Sequence, residues 1–172
     1  MKDMQKRSFR YRILVMTAII GALLVISGCA LLQRDEPQIR NWQPVISPDG
    51  TRIAFASPVE ENGFELFIYT PATGEKTRLT RNTIDDWAPS WSPEGERLVF
   101  VSNKDDNLDL YIIDIATGAT FRLTSHDKED ANPHWGTDGR IAFNSKRSGE
   151  WEAYTIDANG ANLRLIIAVA VD

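Results

Sequence analysis

Catalysis needs a nucleophile, a base or a metal centre within reach of one another, and these 172 residues offer few candidates. His126 and His134 are the only histidines, and Cys29 is the only cysteine. No Gly-x-Ser-x-Gly elbow, His-Glu-x-x-His pair or glycine-rich phosphate loop occurs. His134 reads as a surface residue rather than a base. Carboxylates gather at Asp85 and Asp86, and again at Asp127, Glu129 and Asp130. Hard cations take several carboxylate and carbonyl oxygens. Neither group has the alternating acids of a calcium loop, so no metal and no other cofactor is expected. The acids read instead as acceptors for hydrogen bonds between loops, and Asp105, Asp106 and Asp109 as a solvated loop. Trp42 and Trp87 each stand two residues before a proline, where a strand is expected to begin. Exposed aromatics are frequent anchors for a protein partner. Together with Asp86, Asp130 and His134, they make up the candidate partner-binding face.

Cys29 points to lipid chemistry. Lys2, Lys6, Arg7, Arg10 and Arg12 precede an uncharged, mostly apolar run from Ile13 to Ile26. That run fits the apolar core of a signal peptide and is short of the roughly 20 residues a spanning helix needs. Ile26-Ser27-Gly28-Cys29 then resembles the bacterial lipobox, an aliphatic residue and two small ones before the cysteine. The resemblance implies that a signal peptidase recognises Ile26, Ser27 and Gly28, and that Cys29 becomes the acylated first residue. Several acyl chains, at about 0.8 kcal/mol per buried CH₂, anchor firmly. Residues 1–28 are therefore expected to be a lipoprotein signal peptide, and 29–40 a lipidated tether carrying Pro37. Ala30 is not the aspartate that commonly retains such proteins at the inner membrane, so either face, inner or outer, is open.

The elements that would position these residues recur. Pro44, Pro89 and Pro133 head three matching stretches: Trp42 to Phe55, Trp87 to Phe100 and Ala131 to Phe143. Ser92, Pro93 and Gly95 in the second suit a type I turn, with proline presetting φ and glycine tolerating the exit. Downstream, Glu65 to Tyr69, Asp109 to Ile113 and Glu152 to Ile156 correspond. Each is followed by a glycine turn and then by Thr77 to Thr80, Phe121 to Thr124 or Leu163 to Ile166. Each unit predicts four short strands, and Trp91, Trp135, Phe55, Phe100 and Phe143 predict core.

Four strands in about 44 residues is the size of a propeller blade. The signature resembles the TolB-like propeller repeat, a relative of WD repeats: an acid, Pro-x-Trp-Ser-Pro-Asp-Gly, an apolar strand bearing Phe, and later Leu-Thr. The second copy matches from Asp86 through Leu123-Thr124. The first has Asn41 for the acid and Ile46 for the tryptophan, and the third has Gly136-Thr137 for Ser-Pro. The expected fold is all-β, with three four-stranded antiparallel blades in residues 41–172. They run over about 41–83, 84–127 and 128–166, with a short apolar tail. Three blades are fewer than the four to eight that usually close a ring. A second copy, another partner or a longer parent chain would each complete it.

Past residue 28 the chain holds 14 basic and 23 acidic residues. So acidic a body argues against nucleic acid, which needs a basic face. The resemblance implies a cell-envelope, periplasmic role in which blades bind a protein and catalyse nothing. Propellers of related type also occur in prolyl-oligopeptidase-like enzymes and oligogalacturonate lyases, but the peptidase's separate α/β domain and the lyase's histidine-rich centre have no counterpart in these residues.

Overall fold

The computed structural model describes residues 42–59 and 63–166. The readings placed on Ile26, Ser27, Gly28, Cys29, the tether and the apolar tail after Ile166 lie outside them. Three four-stranded antiparallel sheets follow one another along the chain. The first holds β1 (Trp42–Ile46), β2 (Ile53–Val59), β3 (Gly63–Thr70) and β4 (Glu75–Arg78). The second holds β5 (Asp86–Trp91), β6 (Arg97–Ser102), β7 (Asp109–Asp114) and β8 (Thr120–Arg122). The third holds β9 (Asp130–Trp135), β10 (Arg140–Ser145), β11 (Glu152–Asp157) and β12 (Arg164–Leu165). The expectation of three TolB-like blades is met.

The turn between the first two strands of each blade closes through one backbone bond. The N–H groups of Gly50, Gly95 and Gly139 donate to the carbonyls of Ser47, Ser92 and Gly136 at 2.8, 2.9 and 3.0 Å. The Leu-Thr motif also has a physical task. The Thr80 and Thr124 hydroxyls accept the Leu66 and Leu110 N–H groups at 2.9 and 3.0 Å, locking the outer edge of β3 and β7.

Adjacent blades pack face to face. Strand β5 lies against β1, β2 and β3, and β9 against β5, β6 and β7. Because side chains alternate across a strand, the middle blade feeds two cores. Trp91, Leu98, Phe100, Tyr111 and Ile113 meet Ala54, Ala56, Leu66 and Ile68 of the first blade. Ala88, Val99, Val101, Leu110 and Ile112 meet Trp135, Ile141, Phe143, Tyr154 and Ile156 of the third. A sheet buried on both faces reads as a continuous apolar run, and Leu98 to Val101 and Leu110 to Ile113 do so.

Each seam repeats one polar contact. The Arg52 guanidinium of the first blade lies 4.9 Å from the Trp91 ring of the second, and Arg97 lies 5.0 Å from Trp135 of the third. Trp91 also donates through Nε1 to the Val45 carbonyl at 3.0 Å. At the outward face of the first blade the tryptophan is replaced by Ile46, which is 68% exposed where Trp91 and Trp135 are 6% and 5%. On the third blade Arg140 bonds within its own sheet, to Asp157 at 3.0 Å, Thr155 Oγ1 at 2.8 Å and the Asn162 carbonyl at 2.9 Å. Its neighbours differ as well: Ala142, Asn144 and Thr155 replace Val99, Val101 and Ile112.

Leu98 and Ile46 thus occupy opposite situations in one repeat. Leu98→Ala, at a fully buried position, is expected to cost about 2–5 kcal/mol, and Ile46→Ala less than about 0.5 kcal/mol. Urea denaturation of the two variants measures both.

Candidate functional site

The inner strands β1, β5 and β9 enter their blades through a shared local distortion. Gln43, Ala88 and Asn132, each directly before the repeat proline, take φ of 51°, 53° and 52°. Pairing slips there, between Trp42 and Val45, between Trp87 and Ser90, and on β10 between Ala142 and Asn144 opposite β9. An extra residue in one strand makes a β-bulge, which bends the strand and re-aims its side chains. The left-handed conformation costs a non-glycine residue roughly 1–2 kcal/mol, so the surrounding packing must hold it. Nothing in residue types such as Gln and Ala announces this.

Two tryptophans of equal sequence position stand beside this shared bulge in unlike surroundings. Trp42 is 59% exposed and meets Phe64 edge-on, with ring centroids 5.6 Å apart. Trp87 is half-buried and packs against both hydrophobic cores, so it is a structural residue as well as a surface one. His134 is exposed on β9, paired opposite Ala142. Its counterpart Ser90 is buried, and the Ser90 hydroxyl accepts the Trp135 N–H across the seam at 2.9 Å. His126 lies apart from His134 in the loop before β9, accepting the Lys128 N–H on Nδ1 at 3.1 Å.

Asp86 and Asp130 are not surface groups: they are 1% and 0% exposed. A partner meeting the outside of this structure would touch neither, so they leave the candidate face. Both Asp130 carboxylate oxygens accept from the Arg147 Nη2 nitrogen, each at 3.1 Å. Asp86 Oδ2 accepts from Asn82 Nδ2 at 2.7 Å. Burial above all pushes the Asp86 carboxyl up from its ordinary value, against the Ser102, Asn82 and Thr80 side chains that stabilise the anion.

Asp109 corrects a further reading. It is fully buried rather than solvated, and Arg122 reaches it at 2.6 Å. Burial raises its pKa first, with the Arg122 hydrogen bond opposing. Glu65, the same position one blade earlier, is fully buried against Arg78 at 3.0 Å. A carboxylate at the head of the third strand answered by an arginine in the fourth is a periodic pattern in the sequence, and could have been found there. Asp85 behaves as expected of an inter-loop acceptor, taking the Phe64 N–H at 2.8 Å. Gly63 is needed beside it, since a Cβ there would collide with Asp85 Oδ1. Among the described residues no group of three or more His, Cys, Asp or Glu side chains converges on a point.

Residues 29–169, which include all three blades, match a known family model, the TolB beta propeller domain. The chain belongs to the TolB β-propeller domain family. Two solved TolB structures are similar to it. With putative TolB from Agrobacterium tumefaciens it shares 27% identity at a TM-score of 0.68, over 74% of this chain and 46% of that one. With TolB from Acinetobacter baumannii it shares 25% identity at a TM-score of 0.62, over 73% and 31%. A puromycin-hydrolyzing peptidase from Mycobacterium tuberculosis shares the fold at 19% identity and a TM-score of 0.59, over 72% and 21%. The chain thus spans less than half the length of each of these relatives. No curated protein matches it. The fold itself is shared by TolB proteins and by a puromycin-hydrolyzing peptidase.

Trp87→Ala is expected to destabilise the TolB-domain chain by about 2 kcal/mol, whereas Trp42→Ala stays within about 0.5 kcal/mol. Arg147→Ala, which strands the buried Asp130 carboxylate, is expected to cost about 3–5 kcal/mol. Denaturant midpoints of the three variants rank these effects.

Proposed function

We propose that this chain is a lipid-anchored protein of the bacterial cell envelope whose TolB-type blades bind a protein partner and do no chemistry of their own. One observation carries the binding reading. Trp42 exposes a large aromatic surface at an inner-strand entrance, braced by Phe64, where the equivalent Trp87 is drawn into the cores. An indole held in place by a rigid sheet loses little conformational freedom on docking, which is why such residues dominate interfaces. His134 is exposed on the inner strand of the third blade and belongs to the same proposal. Cys29 fastens the protein to the periplasmic face of the outer membrane or the outer face of the cytoplasmic membrane. The acidic body keeps it from nucleic acid.

A second reading is favoured by the coverage of its relatives: the blades are part of a larger TolB-like propeller, of either a binding or a peptidase or polysaccharide-processing kind. The unlike outer faces bear on how such a ring would close. Joining two copies head to tail would set Arg140, already bonded to Asp157 and Thr155, against Ile46 rather than a tryptophan. That contact lacks the tryptophan of the repeated seam and finds its arginine already engaged, so a different partner or further blades of the same protein suit the first blade better than a second copy does.

Cys29→Ser is expected to move the protein from the membrane fraction to the soluble envelope fraction, and unchanged sedimentation with membranes would refute the anchor. Trp42→Ala is expected to lower crosslinking to the envelope partner at least tenfold with the denaturation midpoint unchanged. Undiminished crosslinking would remove Trp42 from the binding face.

A further inference from the structure

One guanidinium of the second seam has no counterpart in the first. The Arg147 side chain donates through Nη2 to both Asp130 oxygens at 3.1 Å and through Nε to the Ser145 hydroxyl at 2.8 Å. It lies 5.5 Å from the Phe143 ring and 4.8 Å from the Tyr154 ring. The same positions in the first seam are Asp86, Ser102, Phe100 and Tyr111, and they line one cleft of about 220 Å³. Lys104 has the sequence position of Arg147. It lines that cleft, as does Arg81, but both are exposed. Among the described residues neither forms an ion pair with Asp86.

Asp86 is nonetheless 1% exposed. The side chains that hydrogen-bond toward it, Ser102, Asn82 and Thr80, are all neutral. Glu65 of β3 carries the same sign of charge, and Arg78 of β4 is spent on Glu65 at 3.0 Å. Asn82 ties the two acids together, its N–H on Glu65 Oε1 at 2.8 Å and its Nδ2 on Asp86 Oδ2 at 2.7 Å. Tyr111, on the cleft wall, gives its hydroxyl hydrogen to Asp105 at 2.6 Å, and Asp85 accepts from the Phe64 N–H. A buried carboxylate without a compensating charge is costly, and taking up a proton relieves the cost. Burial is the largest cause of the upward shift of the Asp86 carboxyl, the neutral donors oppose it, and the Glu65 charge adds to it.

We propose that a proton does for the first seam what Arg147 does for the second: with Asp86 neutral the first blade is clamped to the second, and ionisation of Asp86 loosens that seam alone. The proton passes between the Asp86 carboxyl and solvent water along the cleft. Linkage fixes the sign. A carboxyl whose folded pKa lies above its unfolded value contributes stability that is complete below the unfolded value and is lost as pH rises through the folded one. The first blade bears Trp42, so pH sets how firmly that blade is held, whether or not a partner binds there.

The test is thermal unfolding of the full chain in detergent from about pH 4 to about pH 8, wild type against Asp86→Asn. The substitution fixes a neutral side chain of nearly the same shape. Every other titrating group is common to both proteins, including the raised Asp109 and the lowered Asp49 and Asp114. The difference in Tm, variant minus wild type, is expected to rise with pH, by roughly 3–6 °C for each unit separating the folded and unfolded values. A uniform loss from imperfect packing of the variant offsets that difference without changing its slope. A flat difference, or one that falls with pH, overturns the proposal. Carboxyl-carbon NMR of the wild type keeps the test decisive if the variant folds poorly. The Asp86 resonance should titrate above the ordinary aspartate range, and titration within or below it overturns the proposal. Over the same pH range, amide exchange corrected for its intrinsic rate should quicken in β2 and β3 and hold steady in β10 and β11. Equal changes at both ends overturn the assignment to the first seam.

Discussion

A four-stranded sheet that is apolar on both faces cannot stand in water, and here another blade is what covers it. Everything distinctive in the structure follows from that need for a neighbour. The middle blade divides its side chains between two cores, Leu98 and Phe100 to one side, Val99 and Val101 to the other. Each core is closed at its rim by an arginine laid over the next blade's tryptophan, a contact worth about 0.5–2 kcal/mol depending on its exposure. The end blades differ where no such neighbour is described. Ile46 takes the place of the tryptophan, and Arg140 turns to acceptors in its own sheet.

Polar chemistry inside the seams obeys the same need. Burying Glu65, Asp109 and Asp130 is tolerable because Arg78, Arg122 and Arg147 accompany them. The acids do not decorate a ring face. They fix how one blade's inner strand meets the preceding blade's third strand, with Asn82 and Asp85 bridging at the first seam. The packing leaves the Trp42 indole exposed at its inner-strand entrance.

Most of the architecture was legible in the sequence because it repeats. The proline, the turn glycine and the Phe strand recur in all three copies, and the Ser-Pro pair and the seam tryptophan in two each, so a repeated physical demand shows itself as a pattern. Trp91, Trp135, Phe55, Phe100 and Phe143 are all buried as their periodicity implies. The candidate site was less legible, since exposure depends on what lies opposite. Asp86 and Asp130 look like surface acids until the neighbouring blade is placed on them. Asp109 looks like part of an acidic loop until Arg122 reaches it from β8. Trp42 and Trp87 are equivalent in sequence, and only the blade packed beside each tells them apart. The left-handed Gln43, Ala88 and Asn132 were invisible because their residue types share nothing.

If stability resides in the seams, cooperative opening should start from the end blades, each held on one face, and reach the middle blade last. Native-state hydrogen exchange measures this strand by strand. The amides of β6 and β7 should exchange only through global unfolding, and those of β2, β3, β10 and β11 through openings of clearly lower free energy. Equal protection across all three blades, or greatest protection in the first or third, would contradict a fold held together between its blades.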